Sequence, residues 1–401
     1  MSSNEISPQP KANFVNDVQD VRPKIAEDAV ASSNPARDEA SERAKIDSIK
    51  KAINKEKVDV TTLKQLAISR GGLINDELRK KAWPELLGAS VENIEPKPEQ
   101  NVLHGHRDYN QVVLDVNRSL KRFPPGMEED TRMAMQDQLV DTIMRVLVAQ
   151  PDLHYYQGYH DIVVTFLLVV GEDITFALMD KLSRAHLNDF MDQSMDKTKH
   201  MLNYLYPIIG KANPELKLFL ERSEVGTIFC LSWLITWYGH VLNELRHIVR
   251  LYDYFIACHP LMPIYLAAAI VLYRQDAVLA ADCDMPSVHC VLSKLPDNLP
   301  IEHLCSYAGD LFVQYPPAEL EQEAMMQYEL AKLQQEEMAK QREEMIKNRT
   351  LQNQRQRKNR KVAQQGPSLL ARLTVWSLIG AFAAAIYAIY CAQQNSTWPV
   401  L

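Results

Sequence analysis

Tyr155-Tyr156-Gln157-Gly158-Tyr159-His160-Asp161 runs directly into Ile162–Val170, a stretch that is apolar apart from Thr165. An apolar run of that length is a buried segment, so the polar and aromatic cluster before it marks the place where a core element meets solvent. Gln157 is an uncharged amide with one acceptor and two donors, set between tyrosines that can fix its rotamer by packing. Such a group can orient a water molecule without titrating. Taken alone, Gln157 and Gly158 also fit an ordinary turn or cap at the start of a core helix.

Upstream, Gln111–Phe123 carries Val112, Val116 and Leu120 at i, i+4 and i+8, one buried helical stripe. Asp115 and Arg118 are three apart, so the carboxylate can hold one edge of the guanidinium while the remaining donors point outward. A solvated surface pair is the alternative. Phe123-Pro124-Pro125-Gly126 stops this helix. Thr131–Gln150 is a further amphipathic helix, with Leu139, Ile143, Val146 and Leu147 on one side. Nearer the N-terminus, Leu78–Pro84 reads as a helix ending at the proline, with Arg79 and Trp83 on one face where guanidinium and indole can stack.

Downstream, Phe176–Phe190, Lys197–Ile209, Pro214–Glu221, Val225–Leu245, His247–Cys258 and Leu261–Asp276 all read as helices separated by Pro, Gly or Asn. Trp233 with Trp237, and Arg250 with Asp253, sit at helical spacing as architectural anchors. No segment has convincing period-2 alternation, so the expected fold class is all-α, built by pairwise helix packing.

Composition narrows the function. A net charge of −7 over 401 residues argues against a general nucleic-acid binder, because phosphate neutralisation needs a dominant basic face. The six cysteines are scattered, without paired C-x-x-C spacing, which suits a reducing compartment. Cys283 and Cys290 with His289 match no standard zinc spacing. Asp152, His154, His160 and Asp161 lie close in sequence but lack an accompanying nucleophile.

The expected organisation is a disordered tail over 1–43, poor in large apolar groups, then a helical domain over 44–317. A spacer over 318–367 is rich in Glu, Gln, Lys, Arg, Met and Ala without a sustained heptad, and would reach about 60 Å as a single helix. Its last part, Lys347 to Lys361, is a basic block. Leu373–Ala392 supplies about twenty uncharged residues, enough for the hydrocarbon core of a bilayer. The segment 368–392 is therefore expected to be a transmembrane tail anchor, its basic side cytosolic, with Arg372 snorkelling to the headgroups and 393–401 lumenal.

Val112-x-x-Asp115-x-x-Arg118 followed about forty residues on by Tyr155-x-Gln157, within an all-helical chain, resembles the TBC domain family of activators of Rab-type small GTPases. Arg79-x-x-x-Trp83, Ser232-Trp233 to Trp237 and Arg250-x-x-Asp253 extend the resemblance over nearly the whole folded part, and the C-terminal anchor is similar to the endoplasmic-reticulum-anchored branch. Val112 stands where the family usually has isoleucine. The usual Arg-Thr-Phe-Pro continuation is missing, which leaves Arg122, just before Phe123-Pro124, as a competing candidate; Arg118 is preferred for its Asp three residues earlier.

The resemblance implies a multi-helix TBC-type domain acting as a GTPase activator in the early secretory pathway. Arg118 would be an arginine finger and Gln157 a glutamine finger in trans, supported by Asp115, Tyr155 and Tyr156. The chain would have no self-contained active site, cofactor or metal of its own, GTP and Mg²⁺ being held by the partner GTPase. A non-catalytic membrane-anchored Rab-binding scaffold is the alternative.

Overall fold

The computed structural model describes residues 35–92, 94–119, 126–364 and 369–394. Among them no strand occurs. The chain is α-helical as its periodicity predicts, and the helices divide between two compact units, the first running to Ala324 and the second from Met325.

Helix α1 (Pro35–Ile53) is followed by α2 (Val60–Ile68) and α3 (Asp76–Leu87). The starts of the latter two are set by side-chain caps: Asp59 accepts from the Thr62 N–H and Asn75 from the Leu78 N–H, each at 3.0 Å. Next come α4 (Gln100–His104), α5 (Tyr109–Arg118), α6 (Glu129–Ala149), α7 (Tyr159–Val170) and α8 (Glu172–Arg184). Then follow α9 (Asp196–Leu202), α10 (Leu205–Ala212), α11 (Pro214–Arg222), α12 (Leu231–Ile235) and α13 (Leu245–Ala257). The first unit closes with α14 (Met262–Tyr273), α15 (Gln275–Leu279), α16 (Met285–Ser293), α17 (Ile301–Gln314) and the start of α18 (Pro317–Gln364).

Two helices of the first unit, α7 and α14, are buried nearly all round. Around α7 lie α3, α6 and α8, while α10 and α17 cover α14. Helix α13 packs on α2, α3, α7 and α17, so it contacts both groups. Fully buried side chains such as Phe166, Ile162 and Leu266 each contribute about 1.5–3 kcal/mol by leaving water.

Several boundaries differ from the sequence expectation for identifiable reasons. Residues 35–43, read as disordered, belong to α1, which continues into the packed Ile49 and Ala52; residues 1–34 of that tail lie outside the described residues. Pro84 does not end α3, because the helix continues to Leu87 and stops on Gly88, which takes the left-handed conformation. Phe176–Phe190, Lys197–Ile209 and Leu261–Asp276 are each interrupted by a turn. Leu120 and Phe123–Pro125, the expected end of α5, lie outside the described residues, as does Arg122.

The largest departure is Val225–Leu245. Helix α12 ends at Ile235, and Trp237 and Tyr238 take positive φ of 44° and 64°. Bulky residues adopt that conformation only when packing compensates. Here the buried Trp237 ring meets Tyr252 at 5.3 Å and Phe255 at 5.4 Å, and the Tyr238 hydroxyl donates to the Pro263 carbonyl at 2.8 Å. Trp233 and Trp237 are therefore not on one helix.

In the second unit, α18 continues without a break to Gln364, and α19 (Leu369–Gln394) follows. The window Leu373–Tyr390 is long and apolar enough to cross a membrane, and none of it is buried. A core helix of a soluble protein would be covered; here Trp376, Phe382 and Tyr387 are open.

Candidate functional site

The two segments singled out by sequence meet through the turn that leads into α5 and the loop before α7. Arg107 donates from Nη2 to the Leu153 carbonyl at 2.9 Å, and the Tyr155 N–H donates to Asp108 Oδ2 at 3.3 Å. Within α5, Val112, Asp115 and Val116 face inward while Leu114, Asn117 and Arg118 face out. That is the amphipathic stripe expected of Val112 and Val116, with one carboxylate included.

Asp115 is 2% exposed. Its Oδ1 accepts from Gln111 Nε2 at 3.0 Å, and its Oδ2 accepts from the Tyr155 hydroxyl at 3.1 Å. These partners occupy both carboxylate oxygens. Asp115 and Arg118 therefore form no ion pair, contrary to the expectation that the carboxylate grips the guanidinium. Burial decides this: Asp115 lies on the covered side of the helix, where its partners are inside, and Arg118 lies on the open side. Asp115 instead ties the Tyr155–Gln157 segment to α5, one helical turn before Arg118.

Gln157 is exposed, and Gly158 behind it is buried with φ of 116°. A Cβ on Gly158 would come within 3.1 Å of Thr236 Cγ2, so only glycine permits both the left-handed turn and the close approach of the α12 end. Gly158 is the N-terminal cap residue of α7. The turn reading of this dipeptide is thus correct as geometry, and the turn holds Gln157 outward. Tyr156 packs edge-on against Tyr159 at 5.8 Å and against Phe190 at 5.8 Å. The Tyr159 hydroxyl pairs with Ser183 Oγ at 2.8 Å. Burial pushes the Tyr155, Tyr156 and Tyr159 phenols above their ordinary range, with the Asp115 carboxylate adding to the rise at Tyr155. All three stay protonated near neutrality and act as fixed supports.

The structure therefore joins the buried Asp115 and the half-buried Tyr155 and Tyr156 into one scaffold beside an exposed Arg118 and an exposed Gln157. His160, to which the sequence assigns no catalytic role, belongs to that scaffold as a hydrogen-bonded helix-end histidine: its Nδ1 lies 2.8 Å from the Tyr155 hydroxyl. Its position in the first turn of α7, close after Gln157, was the available signal. Among the described residues, no three His, Cys, Asp or Glu side chains form a group able to hold a metal.

The second polar cluster is a structural hub. Asp253, fully buried, accepts from Arg79 Nε and Nη2, from Trp83 Nε1 at 2.8 Å and from the Leu73 N–H at 2.9 Å. Arg79 and Trp83 thus converge on a carboxylate rather than stacking on each other. Arg250 donates to Glu302 at 2.8 Å and to the carbonyls of Ala67, Ile68 and Ser69. A cavity of about 1460 Å³ opens beside this hub, between the α2–α3 turn, α13 and α17, and neither Arg118 nor Gln157 lines it.

Comparison with known proteins fits this geometry. The family model described as the Rab-GTPase-TBC domain matches residues 76–279. TBC1 domain family member 20 of Homo sapiens is 58% identical over 288 residues, 72% of this chain and 72% of that protein. GTPase-activating protein gyp10 of Schizosaccharomyces pombe is 31% identical over 250 residues, 61% of this chain and 66% of that protein. Among solved structures, the Chlamydomonas flagellar RabGAP TBC domain superposes with a TM-score of 0.55 at 16% identity, covering 69% of this chain and 94% of that one. The Ypt/Rab-GAP domain of Gyp1p gives 0.51 at 15% identity, covering 68% and 99%. With a matched family model and a relative this similar across most of both chains, the protein belongs to the Rab-GTPase-TBC domain family.

Proposed function

We propose that this chain is a GTPase-activating protein for a Rab-type small GTPase, supplying Arg118 and Gln157 in trans. The observation that carries the reading is the 3.1 Å hydrogen bond between Tyr155 and Asp115, which ties the segment bearing an exposed carboxamide to the helix bearing an exposed guanidinium. Family membership and the GTPase-activating name of the fungal relative gyp10 support it.

The partner holds GTP and its Mg²⁺, so the activator needs only to complete the transition-state electrostatics and place the attacking water. Arg118 neutralises charge developing on the phosphoryl oxygens, a contribution of roughly 10³–10⁵ in rate for arginine fingers. Its planar fork matches those oxygens in a way a lysine ammonium does not. Gln157 holds the water in line, and Tyr155, Tyr156 and Asp115 keep it from shifting. Water orientation by a neutral amide is insensitive to pH near neutrality.

The Leu373–Tyr390 helix and the basic block before it support a tail anchor with the TBC domain on the cytosolic side; the endoplasmic reticulum is the membrane proposed for it. Sharing a membrane with prenylated GTPases raises effective concentration without new contacts.

Phosphate release from a panel of GTP-loaded Rab proteins tests the reading. Wild-type protein should accelerate hydrolysis by at least one member, and Arg118→Ala or Gln157→Ala should abolish the acceleration; undiminished rates with both variants reject the finger assignment. Binding of GTP-loaded partners with no turnover by the wild type points to a scaffold instead. Removing residues 368–401 should release the protein from membrane fractions with activity on soluble GTPase retained.

A further inference from the structure

Beside the exposed pair runs a chain of buried and half-buried polar groups with a direction. Asp115, as a carboxylate, only accepts, and its Oδ2 faces the Tyr155 hydroxyl at 3.1 Å. That hydroxyl carries a single proton, kept in place by burial of the phenol. On the other side of the same oxygen, His160 Nδ1 stands at 2.8 Å. Were the phenol proton turned toward His160, two acceptor oxygens would face each other across 3.1 Å with no proton between them. The proton therefore points to Asp115, and Nδ1 must be the donor.

His160 is 6% exposed and occupies the first turn of α7, three residues after Gln157. Its second nitrogen lies 3.7 Å from Asp161 Oδ2, and the same oxygen lies 3.7 Å from His240 Nδ1. The imidazole is thus hydrogen-bonded to Tyr155 through Nδ1 and has a carboxylate near Nε2.

We propose that His160 is a positioning residue for the reaction: its Nδ1–H fixes the Tyr155 hydroxyl onto Asp115 and thereby holds the Gln157 segment in register with Arg118. The proposal rests on the finger reading above. Without this donor the phenol oxygen is held from one side only, so the Tyr155 side chain can shift on Asp115 and the Asp108 contact is left to hold the Tyr155–Gln157 segment beside α5. A loosened water-positioning group lowers turnover without changing how the GTPase is captured.

Two readouts test it. In GTP hydrolysis assays His160→Leu should lower kcat roughly ten- to hundred-fold, with KM within about two-fold of wild type. His160→Asn places an amide N–H near the Nδ1 position and should recover most of kcat. Equal loss in both variants, or wild-type kcat in both, overturns the proposal. Should His160→Leu fail to fold by circular dichroism, Tyr155→Phe replaces it, since it keeps the ring and deletes the oxygen; wild-type kcat there also overturns it.

Independently of any GTPase, magic-angle-spinning spectra of the full chain labelled with ¹⁵N-histidine in lipid nanodiscs report the tautomer. The signals that vanish in His160→Asn should show a protonated Nδ1; a neutral ring protonated only at Nε2 overturns the donor assignment. Unchanged hydrolysis in Arg118→Ala would sink the finger reading while the tautomer still decided the hydrogen bond, so the two failures are distinguishable.

Discussion

The α5 edge and the Asp253 hub are written in the same residue types and end differently. Each has an arginine and an aspartate three apart on one helix, Asp115 with Arg118 and Arg250 with Asp253, and in neither case do the two bond to each other. In the hub both members are buried, at 6% and 0% exposure, and each finds partners on other helices. On the α5 edge only the aspartate is buried. Its partners are inside, and the arginine is left at the surface. Spacing brings a pair to neighbouring positions on a helix, but burial decides which partners each member takes. A fully satisfied pair holds the fold, whereas a half-buried one leaves its guanidinium at the surface.

If that contrast is right, the two regions separate under mutation. Arg118→Ala should remove roughly 4–7 kcal/mol of transition-state stabilisation from the stimulated reaction, as the loss of an arginine finger implies. Its unfolding free energy should stay within about 0.5 kcal/mol of wild type, as for other surface changes. Asp253→Ala should do the reverse, costing about 3–5 kcal/mol of stability by leaving the buried Trp83 Nε1 and Leu73 N–H without an acceptor and Arg79 with only the more exposed Asp76. Denaturant titration alongside phosphate release measures both, and a large stability loss in Arg118→Ala would break the comparison.

Gly72 sharpens it on a smaller scale. Its φ is +56°, and a Cβ there would lie 2.4 Å from Asp253 Oδ2. Gly72→Ala should therefore cost about 1–3 kcal/mol from the backbone conformation alone, before the carboxylate is displaced. Thermal unfolding reads this out, and a neutral substitution would mean that the hub is looser than drawn.

The smallest effect is a pH dependence. Burial acts to raise the Glu302 pKa, but the hydrogen bonds and charge of Arg250 outweigh it and hold the group below its ordinary value of 4.5. A carboxylate depressed in the folded state adds stability above the unfolded value and loses it as the pH falls through the folded one. Glu302→Gln should accordingly be less stable than wild type at neutral pH, with the difference closing as the pH drops below 4.5. Denaturant midpoints across that range measure it; a difference that widens in acid would contradict the pairing with Arg250.

Much of this molecule is visible without coordinates because helical periodicity is local. The α5 stripe, the apolar α7 and the uncharged Leu373–Ala392 segment are each complete within a few turns of chain. The candidate pair was also legible, since Gln157 and Arg118 sit in motifs of a recognisable family. What escaped depended on distant residues. Nothing near Asp115 in sequence says that its partner is Tyr155 rather than Arg118. Nothing near Trp237 announces a left-handed turn, since the strain is offset by Tyr252 and Phe255 on another helix. The hub joins residues 174 positions apart, beyond any periodicity argument.

By itself the amino-acid sequence determined that the chain is helical, where most helices lie and which terminal segment is apolar enough to span a bilayer. These follow from side-chain pattern and backbone propensity over short windows. Only the tertiary structure decided which charged side chains are enclosed and which are open, because a carboxylate or guanidinium can be buried only where distant segments bring hydrogen-bond partners to meet it.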